Sequence, residues 1–288
     1  MRTITRFLRT CITCALFVPG LANAAQSTLD VPCGRDGALT FGFLPLVSTE
    51  KLVQRFAPLV HHLSAELGTP IRIETAADFE TFIRRTNNDK RYDLLFTAPH
   101  LFYLARKKAG YHLLVSVDSR GMSAVIVVPK NSQIETIKDL AGLKLATVDP
   151  LSLATLLVRK QLEDNGLDPD ADLNLVTTPS HNASLLSSYY GATDASSLMM
   201  PPFKVANPGV RESMKIISVT ESTPHMPISA APWIDPECRD AMVAVLLAMP
   251  STPAGREALK TAGFRGFVKS LPDIYDSLIW AAERIDTE

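Results

Sequence analysis

LKLATVDPLSLATLLVRKQLEDNGLDPDADLNLVTTPSHN, residues 143–182, is the stretch on which the reading of this chain turns. A strand at 143–148 stops at Asp149-Pro150, and a helix opens at Ser152. Leu153, Leu156, Leu157 and Leu162 give that helix one apolar face, and Gly166 ends it. A second strand at 173–178 follows, and Pro179-Ser180-His181-Asn182 opens another helix. Two helix N-termini carrying small hydroxyl residues therefore emerge from two neighbouring strands. Unpaired N–H groups and the positive end of the helix dipole suit such a place to hold an anion. The pattern suits a protein that holds something small better than one that transforms it.

The same alternation extends in both directions. Strands are expected at 39–44, 71–76, 93–97, 111–117 and 123–129, then at 195–200, 215–219 and 228–231. Helices are expected between them: one from Thr49 to Gly68 that Pro58 should kink or break, one capped by Asp78, and one starting at Pro99. A short helix is expected at 136–140, and further helices after Asp235-Pro236, after Thr252-Pro253 and over 272–284. Strands alternating with helices over this length mean an α/β fold with mostly parallel sheets. Ligands in such sheets bind beyond the carboxyl ends of the strands. The loops at 45–49, 98–100, 149–155 and 178–182, and the region after Ala195, are the places so indicated.

The N-terminus reads as a secretory signal. Arg2, Arg6 and Arg9 precede an apolar run at 11–21, and Ala22-Asn23-Ala24 is a small-x-small cleavage pattern. The run is too short to span a bilayer, so a signal peptide at 1–24 and export to a bacterial periplasm are expected. A net charge of -1 over 288 residues argues against nucleic acid, which demands a basic face. Cys33 and Cys238 remain after cleavage, either as one disulfide in an oxidising compartment or as two unrelated thiols. Two cysteines do not make a four-ligand structural zinc site.

Several short pieces then fall in a recognisable order: Phe41-Gly42-Phe43-Leu44-Pro45, Pro58-Leu59, His62-Leu63, Leu67-Gly68 and Tyr92-Asp93-Leu94. Pro99, Tyr103, Ala105, Asp139-Leu140-Ala141-Gly142, Asp149-Pro150, Ser152, Gly166-Leu167-Asp168-Pro169-Asp170 and Ser180-His181 continue it, as far as Gly263-Phe264-Arg265-Gly266-Phe267 and Tyr275. This order resembles the phosphate/phosphite/phosphonate substrate-binding proteins of ABC importers, over nearly the whole mature chain. The resemblance implies a two-lobed type II periplasmic-binding-protein fold, two mixed, mostly parallel sheets joined by two hinge segments and closing over ligand by hinge motion. Lobe 1 would hold 35–122 plus 226–288 and lobe 2 would hold 123–225. The crossings would lie near 121–125 and 222–228, where Pro224 and Pro227 restrict the second.

The resemblance also implies a site. Ser152 matches a serine of the family's Ser-Thr-Ser cradle, which here reads Ser152-Leu153-Ala154, with Thr155 as a partial substitute; the bland alternative for Ser152 is a helix cap. His181 matches the family's histidine after a serine, and the alternative is a solvent-facing helix start. Ser180 is a cap, a ligand donor or both, and Asn182 is a weaker candidate. Asp194 falls where relatives carry an acid, and is otherwise a turn residue before a strand. Ser123 stands near the first crossing, with Met122 where the family tends to place a tyrosine. His100 and Tyr103 follow the third strand and would face the cleft, with a core role as the alternative for Tyr103.

His100, His181 and His225 lie on separate loops without a short metal-ligand spacing, so no metal or other cofactor is expected. No nucleophile elbow, phosphate-cradling glycine loop or readable carboxylate pair marks an enzyme. The expected role is capture of a small oxyanion, by a monomer, for a membrane ABC permease. The alternative is a ligand-sensing subunit for a membrane histidine kinase or cyclase with a changed ligand, motivated by the reduced cradle.

Overall fold

The computed structural model describes residues 33–34 and 37–286; the expected signal at 1–24 lies outside the described residues. The chain begins with β1 (Leu39–Phe43), α1 (Thr49–Leu67), β2 (Ile71–Glu74), α2 (Phe79–Asn87), β3 (Leu94–Phe96), α3 (Pro99–Ala109) and β4 (His112–Val117). It then builds β5 (Ala124–Pro129), β6 (Lys144–Thr147), α4 (Leu153–Asp164), β7 (Asn174–Thr177), α5 (His181–Tyr189) and β8 (Ala195–Met199). Two short helices, α6 (Met200–Lys204) and α7 (Pro208–Glu212), precede β9 (Met214–Val219). The remainder is β10 (Pro227–Ala230), α8 (Pro236–Ala248), α9 (Pro253–Ala262), β11 (Phe267–Val268) and α10 (Ile279–Asp286).

Two sheets result. One runs β11-β4-β10-β3-β1-β2, and the other runs β7-β6-β8-β5-β9. Parallel pairing is confined to β1 with β2 and β3, and to β6 with β7 and β8. β10 pairs antiparallel with β3 and β4, and β5 pairs antiparallel with β8 and β9. The sheets are thus more evenly mixed than mostly parallel pairing would give. The cause is topological: β5 and β10 each enter their sheet straight from the other one, with no crossover helix to force a parallel return.

The chain passes between the sheets through 118–123 and back through 220–226. These segments are tied together. Met122 N–H donates to the Thr223 carbonyl at 2.8 Å, and Thr223 N–H returns the bond to Met122 at 2.8 Å. Gly121 between them has φ +107, and a Cβ there would lie 2.4 Å from the Ser222 hydroxyl oxygen. Only glycine allows that approach.

α1 continues through Pro58 without a break. An internal proline costs about 3 kcal/mol. Leu52, Phe56, Leu59, Val60, Leu63 and Leu67 are all buried on one face, and at about 1.5–3 kcal/mol each they outweigh it. Cys33 is bonded to Cys238 at the start of α8, with Cα atoms 5.8 Å apart, so the pair is a disulfide rather than two free thiols. The short helix expected at 136–140 is a 3-10 turn at Ile137–Leu140, and the helix expected over 272–284 is a 3-10 turn at Pro272–Leu278 that leads into α10. The short α6 and α7 and the edge strand β11 were not expected from the sequence pattern.

Candidate functional site

The carboxyl ends of β1, β3, β6, β7 and β8 open toward one cleft of roughly 770 Å³ between the sheets. The first sheet supplies Leu44, Leu46 and Val47 after β1, Arg55 and Phe56 of α1, Phe96 and Ala98 around the end of β3, and Gly263-Phe264-Arg265. The two crossings form its back, with Met122, Ser123, His225 and Met226. The second sheet supplies Ser152, Leu153 and Ala154 at the start of α4, His181 at the start of α5, and Met199 to Pro202.

Ser152 lies on the wall and caps α4. Its hydroxyl oxygen accepts from Thr155 N–H at 3.2 Å and donates to Thr155 Oγ1 at 3.1 Å. Leu153 and Ala154 occupy the first helical positions, whose N–H groups have no carbonyl one turn earlier. Both residues line the cleft at the place of the missing hydroxyls. His181 also lines the wall. Its Nδ1 is buried without a hydrogen-bond partner, and burial pushes its pKa down to about 4, so the ring is neutral near pH 7. Ser123 is the third expected residue on the wall.

The other six expected residues lie off the wall. Thr155 is buried and donates to the Val148 carbonyl at 3.1 Å, pinning α4 to the end of its strand. Ser180 caps α5, accepting from Ala183 N–H at 3.1 Å, and Asn182 points to solvent. Asp194 sits at the amino ends of β6 and β8, away from the cleft, where its carboxylate accepts from Lys144 N–H at 2.8 Å. Its role there is the turn. Tyr103 is buried in α3 with Lys107 over its ring at 5.5 Å. His100 is fully buried, and its Nε2–H donates to the Leu151 carbonyl at 3.0 Å, from α3 to the loop before α4. That bond joins the two halves. The Nδ1 of His100 has no partner, and burial, opposed by that bond, brings its pKa to about 4.

Two residues of the wall escaped the sequence reading. Arg55 stacks over Phe56 and Phe264, its guanidinium carbon 5.1 and 5.6 Å from the ring centroids, and its Nε–H donates to the Ala262 carbonyl at 2.8 Å. His225, considered from sequence only as a metal ligand, accepts from Met226 N–H through Nδ1 at 2.8 Å. Burial first, and the Arg55 charge second, bring its pKa to about 4. Charged groups on the wall are Arg55, Arg120, Lys204 and Arg265 against Asp118 alone, and Asp118 faces Arg265 at 3.8 Å. The balance favours an anion. Among the described residues no three His, Cys, Asp or Glu side chains come together as metal ligands.

Two α/β lobes facing each other across a cleft, joined by two paired crossings, make this a type II periplasmic-binding-protein fold. The model of the family described as the periplasmic substrate-binding protein of the phosphonate ABC transporter matches residues 41–275, and the chain belongs to that family. Its role is accordingly solute binding, and the family favours transport over the sensing alternative. Solved structures agree in fold. PhnD1 from Prochlorococcus marinus in complex with methylphosphonate has a TM-score of 0.78 at 16% identity, over 88% of this chain and 100% of that one. The binding-protein component of an ABC phosphonate transporter from Pseudomonas aeruginosa, PA3383, gives 0.75 at 17% identity, over 86% and 87%. XAC2383 from Xanthomonas citri bound to chloride gives 0.73 at 19% identity, over 87% and 99%. No curated protein sequence matches the chain.

Proposed function

We propose that this protein captures a small phosphonate-, phosphite- or phosphate-like oxyanion in the cleft and delivers it, as a monomer, to a membrane ABC permease. The observation that carries the reading is the convergence of two helix N-termini on one cleft, with Ser152, Leu153 and Ala154 of one and His181 of the other at its wall. Donors so placed replace the water shell of an anionic oxygen. Lobe 1 is taken as 35–122 plus 226–288 and lobe 2 as 123–225, closing about the paired segments at Met122 and Thr223. Ser123 sits at that pivot, on the wall. Export by the signal at 1–24 places the protein where such a permease draws its solute. The protein holds its ligand and leaves it unchanged.

Thermal unfolding with methylphosphonate, phosphite, phosphate and sulfate tests this. A ligand at a hundredfold excess over its Kd stabilises the folded state by about 2.7 kcal/mol. At least one phosphorus oxyanion should therefore raise the melting temperature in a saturable way. If none of them shifts it, the oxyanion reading is wrong.

A further inference from the structure

The lobe 2 donors carry no full charge. His181 is neutral near pH 7, and a helix N-terminus offers only about half an elementary charge. A cation on the facing lobe would add a formal countercharge to those neutral donors once water is excluded. Arg120, Lys204 and Arg265 are solvent-exposed residues of the cleft, and Arg265 faces Asp118. Arg55 is exposed in part as well, and it differs from them in how it is held. Phe56 and Phe264 hold its guanidinium in a fixed plane, Nε is spent on Ala262, and no carboxylate pairs with it among the described residues. Its two terminal nitrogens remain as donors.

His225 stands beside it, its ring 6.4 Å from that of Phe264. Because Nδ1 accepts from Met226 N–H, the neutral ring carries its proton on Nε2. The backbone thus fixes the tautomer and makes Nε2 a donor.

We infer that Arg55 and His225 form the lobe 1 half of an anion clamp, gripping the ligand's oxyanion opposite the α4 and α5 helix starts. Arg55 supplies the formal charge and a planar two-nitrogen fork, and His225 adds one neutral donor. This rests on the oxyanion reading proposed above. It assigns affinity to two residues that lie 170 positions apart in the sequence.

The test is isothermal titration of methylphosphonate and inorganic phosphate into the unmodified protein and into Arg55→Met, Arg55→Lys and His225→Gln. Melting temperatures without ligand report whether each variant is folded. Met keeps an apolar stem against Phe56 and Phe264 and removes the charge, the two terminal donors and the Nε–H bond to Ala262. Arg55→Met should weaken binding at least tenfold, the range of a lost hydrogen bond to a charged group. Arg55→Lys should fall between the two, and His225→Gln should lose severalfold. Lys138→Met, on the exposed side of the 3-10 turn at Ile137–Leu140 and away from the cleft, should leave the affinity unchanged. Unchanged affinity in folded Arg55→Met and His225→Gln overturns the clamp and leaves the oxyanion reading standing. If the unmodified protein binds neither anion, both fail together.

Discussion

Acidification should destabilise this protein through His100, and the size of the effect follows from its surroundings. His100 has no solvent exposure, and its Nε2–H is held by the Leu151 carbonyl. Burial holds its pKa at about 4, against an ordinary 6.5. Between those values the unfolded chain binds a proton that the folded chain refuses. Stability is therefore intact above pH 6.5, falls as the pH drops through 6.5, and stops falling below about 4. The full difference corresponds to roughly 3 kcal/mol, and roughly 2 kcal/mol of it is lost by about pH 5. His181 and His225 act in the same direction, while Asp149, whose pKa is raised by burial, acts in the opposite one.

A subtraction isolates His100. Glutamine keeps an N–H near the Nε2 position and does not titrate. Urea unfolding of the unmodified protein and of His100→Gln, at several values between about pH 7.5 and 4.5, gives two stability curves. The substitution itself adds a constant offset, and the remaining groups cancel. The difference between the curves should change by roughly 2 kcal/mol between neutral pH and about pH 5, with the unmodified protein losing more. A difference that stays constant with pH would refute the reasoning, because it would mean that His100 charges freely in the folded state.

Three further outcomes are expected. Cys238→Ser removes a link spanning 205 positions, and it should cost about 2–5 kcal/mol in denaturant unfolding. Reductant should lower the unmodified protein by the same amount and leave the variant unaffected. Gly42→Ala would set a Cβ 2.5 Å from the fully buried Tyr92 ring, and overpacking of that kind should cost about 1–3 kcal/mol or more by the same assay. Tyr275→Phe removes a hydroxyl bonded to Ser116 Oγ at 2.7 Å and to the His225 carbonyl at 3.0 Å, and thermal unfolding should report a loss of about 1–3 kcal/mol.

What could be read in the sequence was whatever is determined locally. The helix starts at Ser152 and Ser180 were legible because a cap and the N–H it satisfies lie three residues apart. Asp194 followed its local turn chemistry rather than the position suggested by relatives. The directions of β5 and β10 were hidden, because they depend on which sheet each strand comes from and not on its own residues. The start of α6 was masked by the apolar run Met199-Met200, although Pro201-Pro202 after it was a usable helix-start signal. Arg55 sits on the charged side of α1, between positions whose spacing marks the core face, and so reads as surface. Its meaning appears only when the segment 263–265 brings Phe264 against it and the second crossing sets His225 alongside.

On the proposed function, the cleft between the sheets holds one oxyanion at the starts of α4 and α5. Calorimetric titration of methylphosphonate, phosphite and phosphate into protein refolded free of bound solute, alongside His181→Ala, measures it directly. One saturable site per chain is expected for at least one of these anions, with clearly weaker binding in a folded His181→Ala. Binding that is indifferent to that substitution, or no binding of any phosphorus oxyanion, would contradict it.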